Sequence, residues 1–464
     1  MRYLFLLLSI FTLSCTNPAN QTEISNSSIQ PSTKYPQYWM YNGEEILLLG
    51  GSREDNLFQI PDLEEHLDLL KSVGGNYVRN TMSSRDSGNV WPFMQLEDGH
   101  YDLNQWNQEY WDRFEKFLRL TDERNIIVQI EIWATFDFYR ENWDINPYNP
   151  ANNINYDERV SKLPVKVETH PVYTENNFFR SVPSQMAIAT VLDYQRKYVD
   201  KLLSYSLAYD HILYCMDNET SVTAEWGKFW SFYIQKKAAE KNKTVYTTEM
   251  WDPWDLAHPF HNETFDHPEI YGFVDISQNN HITGEKHWVN GLTQLQRLKN
   301  ISALRPVNNV KVYGNDGGRH KTTRNGIESF IQNIFLGCAS ARFHRPTSGQ
   351  GLNKIAQAVI RSMRDLTDRM DWFNIYPDNS LLSDREEHEA YCRCLPGKEY
   401  AIYFPDGGEV SLDLTQYERD FSVQWLNILQ SEWEQQESVK GGSNISLQTP
   451  GTGHWIVLIV ALTG

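Results

Sequence analysis

One pattern constrains this chain more than any other: a short β-branched or aromatic run followed by an amphipathic stretch, repeated eight times. The runs are "EILLLGGS" (45–52), "NYVRNTM" (76–82), "IIVQIEIW" (126–133), "HILYCMDNE" (211–219), "VYTTEMW" (245–251), "FVDISQNNH" (273–281), "VKVYGND" (310–316) and "SARFHRP" (340–346). Most of the stretches between them carry apolar residues at helical spacing, as with Leu63, Leu67 and Leu70 in "PDLEEHLDLLKSVG". Strands that alternate with helices predict a parallel sheet, and eight such units over this length predict a (β/α)8 TIM barrel. A doubly wound open sheet is the competing arrangement, but no glycine-rich phosphate fingerprint accompanies it.

The pattern changes after a helix expected around 352–370. From "SLLSD" (380–384) onward come short strands separated by turn signals such as Asp406-Gly407-Gly408 and Gly441-Gly442. The expectation is a barrel over residues 37–375 and an all-β sandwich over 380–464. At the other end, "MRYLFLLLSIFTLSC" is an apolar run too short to span a bilayer, with the layout of a secretion signal. It resembles the bacterial lipoprotein box, with Thr12 where Leu is usual. The resemblance implies that residues 1–15 are the signal with its lipidated Cys15, and that the protein is an exported, membrane-anchored lipoprotein of the cell envelope. Residues 16–36, rich in Ser, Asn, Pro and Thr, read as a flexible tether.

Composition narrows the function classes. A net charge of −18 disfavours nucleic acid as a partner. Cys215 and Cys338 lie in apolar runs, and Cys392 and Cys394 are too close for a mutual disulfide. Neither a disulfide framework nor a zinc spacing is present. The cluster His261, Asp266, His267 and Glu269 has no recognised ligand spacing and reads as a loop, so no metal or cofactor is expected. Aromatic content is high, with 15 Trp. It permits a carbohydrate-binding surface, although core packing uses the same residues.

In such barrels the active site forms at the C-terminal ends of the strands. Those ends hold Gly50-Gly51-Ser52, Arg79-Asn80, Glu131 and Trp133, Asn218-Glu219, Glu249 with Trp251-Asp252, Gln278 to His281, Asp316, and His344-Arg345. Glycoside hydrolysis needs two carboxyl groups that flank one bond. Asn218-Glu219 at the end of the fourth strand resembles the acid/base signature of clan A glycoside hydrolases. That clan places its nucleophile at the end of strand seven, where this chain has Asp316 in place of the usual Glu. The two-domain layout is similar to that of apiosidase-like hydrolases, barrels followed by a small β-domain labelled collagen-binding.

The resemblance implies Glu219 as acid/base and Asp316 as nucleophile. Arg79, Asn80, Trp133, Asn218, Glu249, Trp251, His281 and His344 become candidate substrate-binding residues. Several have rival readings: Asp316 in a turn-rich stretch, Glu249 as the second carboxylate, Arg79 in a buried salt bridge, Trp133 and Trp251 in the core. The long segment 134–185 is expected to overhang the mouth, with Trp143, Tyr148 and Phe179 meeting sugar. The function expected is hydrolysis of a plant or algal polysaccharide or an oligosaccharide from it. A glycan-binding lipoprotein without catalysis and an adhesive protein acting through its β-domain are the alternatives.

Overall fold

The computed structural model describes residues 27–169, 175–316 and 320–462. The expected lipid-bearing Cys15 and its signal lie outside the described residues. No helix among the described residues is long and apolar enough to cross a membrane.

Eight βα units follow one another as the periodicity predicts. The strands are β1 (Leu48–Gly51), β2 (Tyr77–Thr81), β3 (Ile127–Ala134), β4 (Ile212–Asn218), β5 (Thr247–Thr248), β6 (Val274–Asp275), β7 (Val307–Asn308) and β8 (Ser340–Phe343). The helices are α1 (Leu63–Ser72), α2 (Gln108–Asp122), α3 (Ala189–Ser206), α4 (Ala224–Ala239), α5 (Pro259–Phe265), α6 (Gly284–Asn300), α7 (Thr323–Leu336) and α8 (Lys354–Asp368). A parallel ladder runs β5-β4-β3-β2-β1-β8, and β6 pairs with β7. A parallel bridge from Val312 to Phe343 joins the seventh unit to β8. The helices turn apolar stripes inward. In α8 these are Ala356, Val359, Ile360, Met363 and Leu366, an i, i+3, i+4, i+7 series. Burying each large aliphatic side chain contributes about 1.5–3 kcal/mol.

Inside the barrel the lower layer is polar. Tyr77 donates to Gln129 at 2.7 Å, Asn308 donates to the Tyr77 hydroxyl at 3.1 Å, and Gln129 donates to Asp275 at 3.2 Å. Trp39, from an N-terminal hairpin (Trp39–Tyr41 and Glu44–Ile46), donates its indole N–H to Asn308 at 2.9 Å.

Three expectations need correction. The sequence predicts the seventh strand at 310–316, but its ladder with β6 is Val307–Asn308, and the predicted run keeps only single bridges from Val312 to Phe343 and from Tyr313 to Gly349. Asn308 and Asn309 disfavour a strand by propensity. They are tolerated because Asn308 completes the polar layer and the Asn309 backbone N–H donates to Ser340 at 2.9 Å. The tether is also shorter than expected. The Ile29 backbone N–H donates to the Asp210 carbonyl at 2.8 Å, Ile29 is buried, and Gln30–Pro31 pairs with the hairpin. The apolar Ile29 side chain thus draws the end of the tether onto the barrel. Finally, α5 occupies the stretch read as a loop. His258 caps it by accepting from the Phe260 N–H, and Pro259 opens the first turn.

Beyond α8 the chain is all-β. The longer sheet includes Tyr391–Leu395, Glu399–Phe404, Trp455–Ala461 and Asp420–Asn427, in that order. A smaller one is formed by Leu382–Ser383, Glu409–Asp413 and Asn444–Gln448. Period-2 alternation divides the long sheet. Cys392, Cys394, Ile402 and Val457 face the smaller sheet's Val410 and Leu412. Tyr391, Ala401, Tyr403 and Ile456 join the barrel core. The β-layer is therefore packed onto the barrel through its own second face.

Candidate active site

At the C-terminal mouth lies a cavity of about 710 Å³. Glu219, just past β4, reaches it from one side. Asp252, Pro253 and Trp254 follow β5, His281 follows β6, and Tyr313 and His320 follow β7. Phe136, Tyr139 and Arg140, from the segment after β3, complete the wall.

Glu219 is placed by its strand and then turned by a left-handed backbone, with φ +57°. The next residue is pinned: the Thr220 N–H donates to the Met250 carbonyl at 2.7 Å, and the Asp252 N–H donates to the Thr220 carbonyl at 2.9 Å. Strained backbone of this kind persists only where surrounding structure enforces it, and it concentrates at functional sites. Arg140 and Asp316 share it, with φ of +52° and +59°.

The Glu219 carboxylate is ion-paired. Lys311 Nζ stands 2.7 Å from Oε1, and the Tyr313 hydroxyl donates to the same oxygen at 3.1 Å. Burial alone would raise the Glu219 carboxyl. The Lys311 ammonium, with Arg79 farther off, outweighs it and holds the group far below the usual carboxylate range. Glu219 is thus an anion at neutral pH, whereas an acid/base residue was expected to be kept protonated by its neighbour. The difference arises because the seventh unit presents a cation to Glu219 rather than a second carboxylate.

Asp316 is not brought into this cavity. It lies eight residues past the β7 ladder, exposed, and accepts from the Thr323 N–H at 2.7 Å and from the Thr323 hydroxyl. These bonds hold its carboxyl below the ordinary value. They tie it to the first turn of α7, as the turn-rich reading of that stretch anticipated.

Of the candidate substrate-binding residues, His281 lines the cavity, stacked on Trp254 with ring centroids 4.1 Å apart. Asn218 is buried beside Glu219, and its amide oxygen has no hydrogen-bond partner among the described residues. His344 stands one ring behind the wall, 5.2 Å from Tyr313 between centroids. Burial, helped by nearby cations, pushes its imidazole well below its ordinary value, so it is neutral. Arg79 is fully buried, with Nη1 2.6 Å from Asp55 and Nε 2.6 Å from Glu131. This is the structural salt bridge, and it also adds positive potential under Glu219.

The others face away from the mouth. Asn80 accepts from the Phe58 N–H at 2.9 Å. Trp251 is buried, its indole donating to Thr264 at 2.7 Å. Trp133 is buried among Phe138, Tyr148, Phe178, Tyr198, Trp226 and Trp230, where a large apolar ring is most stable. Glu249 lies between β5 and α4. Its Oε1 accepts from the Asp217 N–H at 2.9 Å, and its Oε2 fills the space a Cβ on Gly227 would need. Burial, reinforced by Asp217, raises its carboxyl well above the usual range. Trp143, Tyr148 and Phe179 are likewise core residues. The 134–185 segment therefore lends the mouth Phe136, Tyr139 and Arg140 rather than the rings expected.

Sequence reasoning missed Lys311, Tyr313 and Trp254. The run "VKVYGND" predicts Lys311 and Tyr313 as strand interior, whereas the ladder with β6 ends at Asn308 and both side chains reach Glu219. Trp254 was legible only as a second Trp in "WDPWD", in a loop after the fifth strand.

No family model matches the sequence, and no curated protein matches it. Solved structures do. A glycoside hydrolase family 5 protein from Bacteroides vulgatus superposes with TM-score 0.64 at 12% identity, over 95% of each chain. A second structure from that organism gives 0.59 at 11% identity over 96% of this chain and 84% of the other. An endo-1,4-beta-mannanase from Rhizomucor miehei gives 0.51 at 12% identity over 74% of this chain and all of the other. At these identities the likeness is one of fold: this chain has the architecture of the family 5 barrels, extended by a C-terminal all-β region.

Proposed function

We propose that this protein is a glycoside hydrolase acting on a plant or algal polysaccharide or an oligosaccharide from it, with Glu219 as a catalytic carboxylate. One observation carries the reading: a strand-end carboxylate in strained backbone, held as an anion by Lys311 and Tyr313, opens into an aromatic-walled cavity. The structural neighbours described above are named as glycoside hydrolases on the same barrel, which supports the class and leaves the sugar open.

An anionic Glu219 is suited to attack the anomeric carbon or to activate water. Lys311 and Tyr313 both engage Oε1, and the Gln278 side chain adds a further polar interaction with the carboxylate. Protonation of the leaving oxygen then falls to another group. Asp252 shares the cavity and is backbone-bonded to Thr220, so it takes that role in our reading. Asp316, which the clan A resemblance implies as nucleophile, lies outside the cavity and is the rival second carboxylate.

The test is a polysaccharide panel followed by rescue. Glu219→Gln should be inactive but folded. Azide with Glu219→Gly should yield a glycosyl azide of inverted configuration if Glu219 is the nucleophile. A retained product would make it the acid/base. Loss of turnover in Asp252→Asn with survival in Asp316→Asn supports the assignment; the opposite result transfers the role to Asp316. A second reading is a glycan-binding protein without turnover, favoured by the tight Lys311–Glu219 pair. It predicts unchanged sugar affinity and no product. The apolar run ahead of Cys15 supports a cell-envelope anchor, and Cys15→Ala should release the protein from membranes.

A further inference from the structure

We propose that Arg140 selects a substrate bearing a carboxylate, a uronic acid residue, at the rim of this cavity. The inference rests on the glycosidase reading and narrows its substrate class.

Arg140 lines the same cavity as Glu219 and is exposed to it. Its backbone is held in the left-handed region by an N–H bond to the Val167 carbonyl at 2.6 Å. Its guanidinium is aimed by two contacts. Nε donates to the Glu168 carbonyl at 3.0 Å, and the plane lies over the Tyr139 ring, 5.4 Å from its centroid. Neither contact uses the two terminal nitrogens. Of the other exposed arginines among the described residues, four are paired, Arg53 with Asp62, Arg119 with Glu123, Arg324 with Glu328 and Asp406, and Arg369 with Asp365, while Arg159, Arg361 and Arg419 form no ion pair but do not line this cavity. Arg140 forms no such pair among the described residues.

The chemistry that fits is a planar anion. A guanidinium oriented through Nε presents its terminal N–H groups as a fork, which matches a carboxylate in two parallel hydrogen bonds. The cavity's charge is close to balanced, because Lys311 neutralises Glu219 and Arg79 lies beneath, with Asp252 as the other carboxyl among the described lining residues. A sulfate ester offers the same charge with tetrahedral geometry, and the experiment separates the two.

The protein would be given pectin, alginate and glucuronoxylan oligosaccharides, the same mixtures after carboxyl reduction, and sulfated carrageenan oligosaccharides. Both hydrolysis and calorimetric binding would be measured. Wild type should prefer a carboxylated ligand over its reduced form by roughly 10- to 100-fold. Arg140→Gln should abolish that preference, with a far larger loss on the carboxylated than on the reduced ligand, and Arg140→Lys should restore it only in part. Arg140→Gly guards against misfolding, since glycine relaxes the left-handed backbone and should keep the melting temperature.

Equal handling of carboxylated and reduced ligands by wild type overturns the proposal while the hydrolase reading stands. A preference for sulfated over carboxylated ligand overturns it too. A carboxylate preference in binding, lost in Arg140→Gln, with no product from any ligand, upholds Arg140 and sinks catalysis instead.

Discussion

Replacing Lys311 with Met removes an ammonium from 2.7 Å beside Glu219 Oε1, in a place where the glutamate side chain is 12% exposed. At an effective dielectric constant of about 20, attraction at that separation is about 6 kcal/mol before desolvation is subtracted. The net loss is capped, because Glu219 can escape by taking a proton. Protonating a carboxyl of ordinary pKa, about 4.3, costs about 3.7 kcal/mol at pH 7 and about 1 kcal/mol at pH 5.

The sign follows from the direction of the shift. In the wild type the folded-state pKa is depressed, so the pair's contribution is present above the unfolded glutamate pKa. It is lost only as pH falls through the lower folded value. In Lys311→Met burial dominates and the carboxyl is raised instead. The variant should therefore be about 3–4 kcal/mol less stable than wild type at pH 7, with the difference shrinking by about 1.4 kcal/mol per pH unit toward pH 5. Urea denaturation at both pH values measures this. Adding Glu219→Gln to Lys311→Met should remove the pH dependence. A cost below about 1 kcal/mol at pH 7, or one that is the same at pH 5, refutes the reasoning.

Four further outcomes are expected. Glu249→Gln should match wild type at pH 7 in melting temperature and turnover, because burial already keeps Glu249 protonated; a folded but inactive variant would show that the second carboxylate is Glu249 after all. Trp143→Ala should cost about 3–5 kcal/mol in chemical denaturation, since the ring is fully buried, without altering KM. Trp254→Ala should do the reverse: the ring is 47% exposed on the cavity wall, so KM should rise several-fold with stability within about 0.5 kcal/mol. Gly227→Ala would place a Cβ 1.8 Å from Glu249 Oε2 and should destabilise by about 1–3 kcal/mol, again read by denaturation.

The eightfold alternation, the order of units and the all-β C-terminal region follow from the sequence because they rest on local periodicity. Helical spacing and period-2 runs are properties of adjacent residues, and burying their apolar faces leaves few solutions. Glu219 was legible for the same reason: a polar residue directly after a long buried run falls at the strand's end.

Its partner was not legible. Asn308 and Asn309 look wrong for a strand until Tyr77, Trp39 and Ser340 are seen to receive them. Placing the strand three residues late turned Lys311 and Tyr313 into strand interior and Asp316 into a strand end. The aromatics of 134–185 failed similarly. Whether Trp143 packs inward or faces sugar depends on which surfaces meet, and one chain segment carries no record of that. Local sequence set the elements and the carboxylate. Long-range contacts between units far apart in the chain decided the cation beside Glu219 and the walls of the cavity, because charge pairing and burial depend on distances in space that no spacing along the chain encodes.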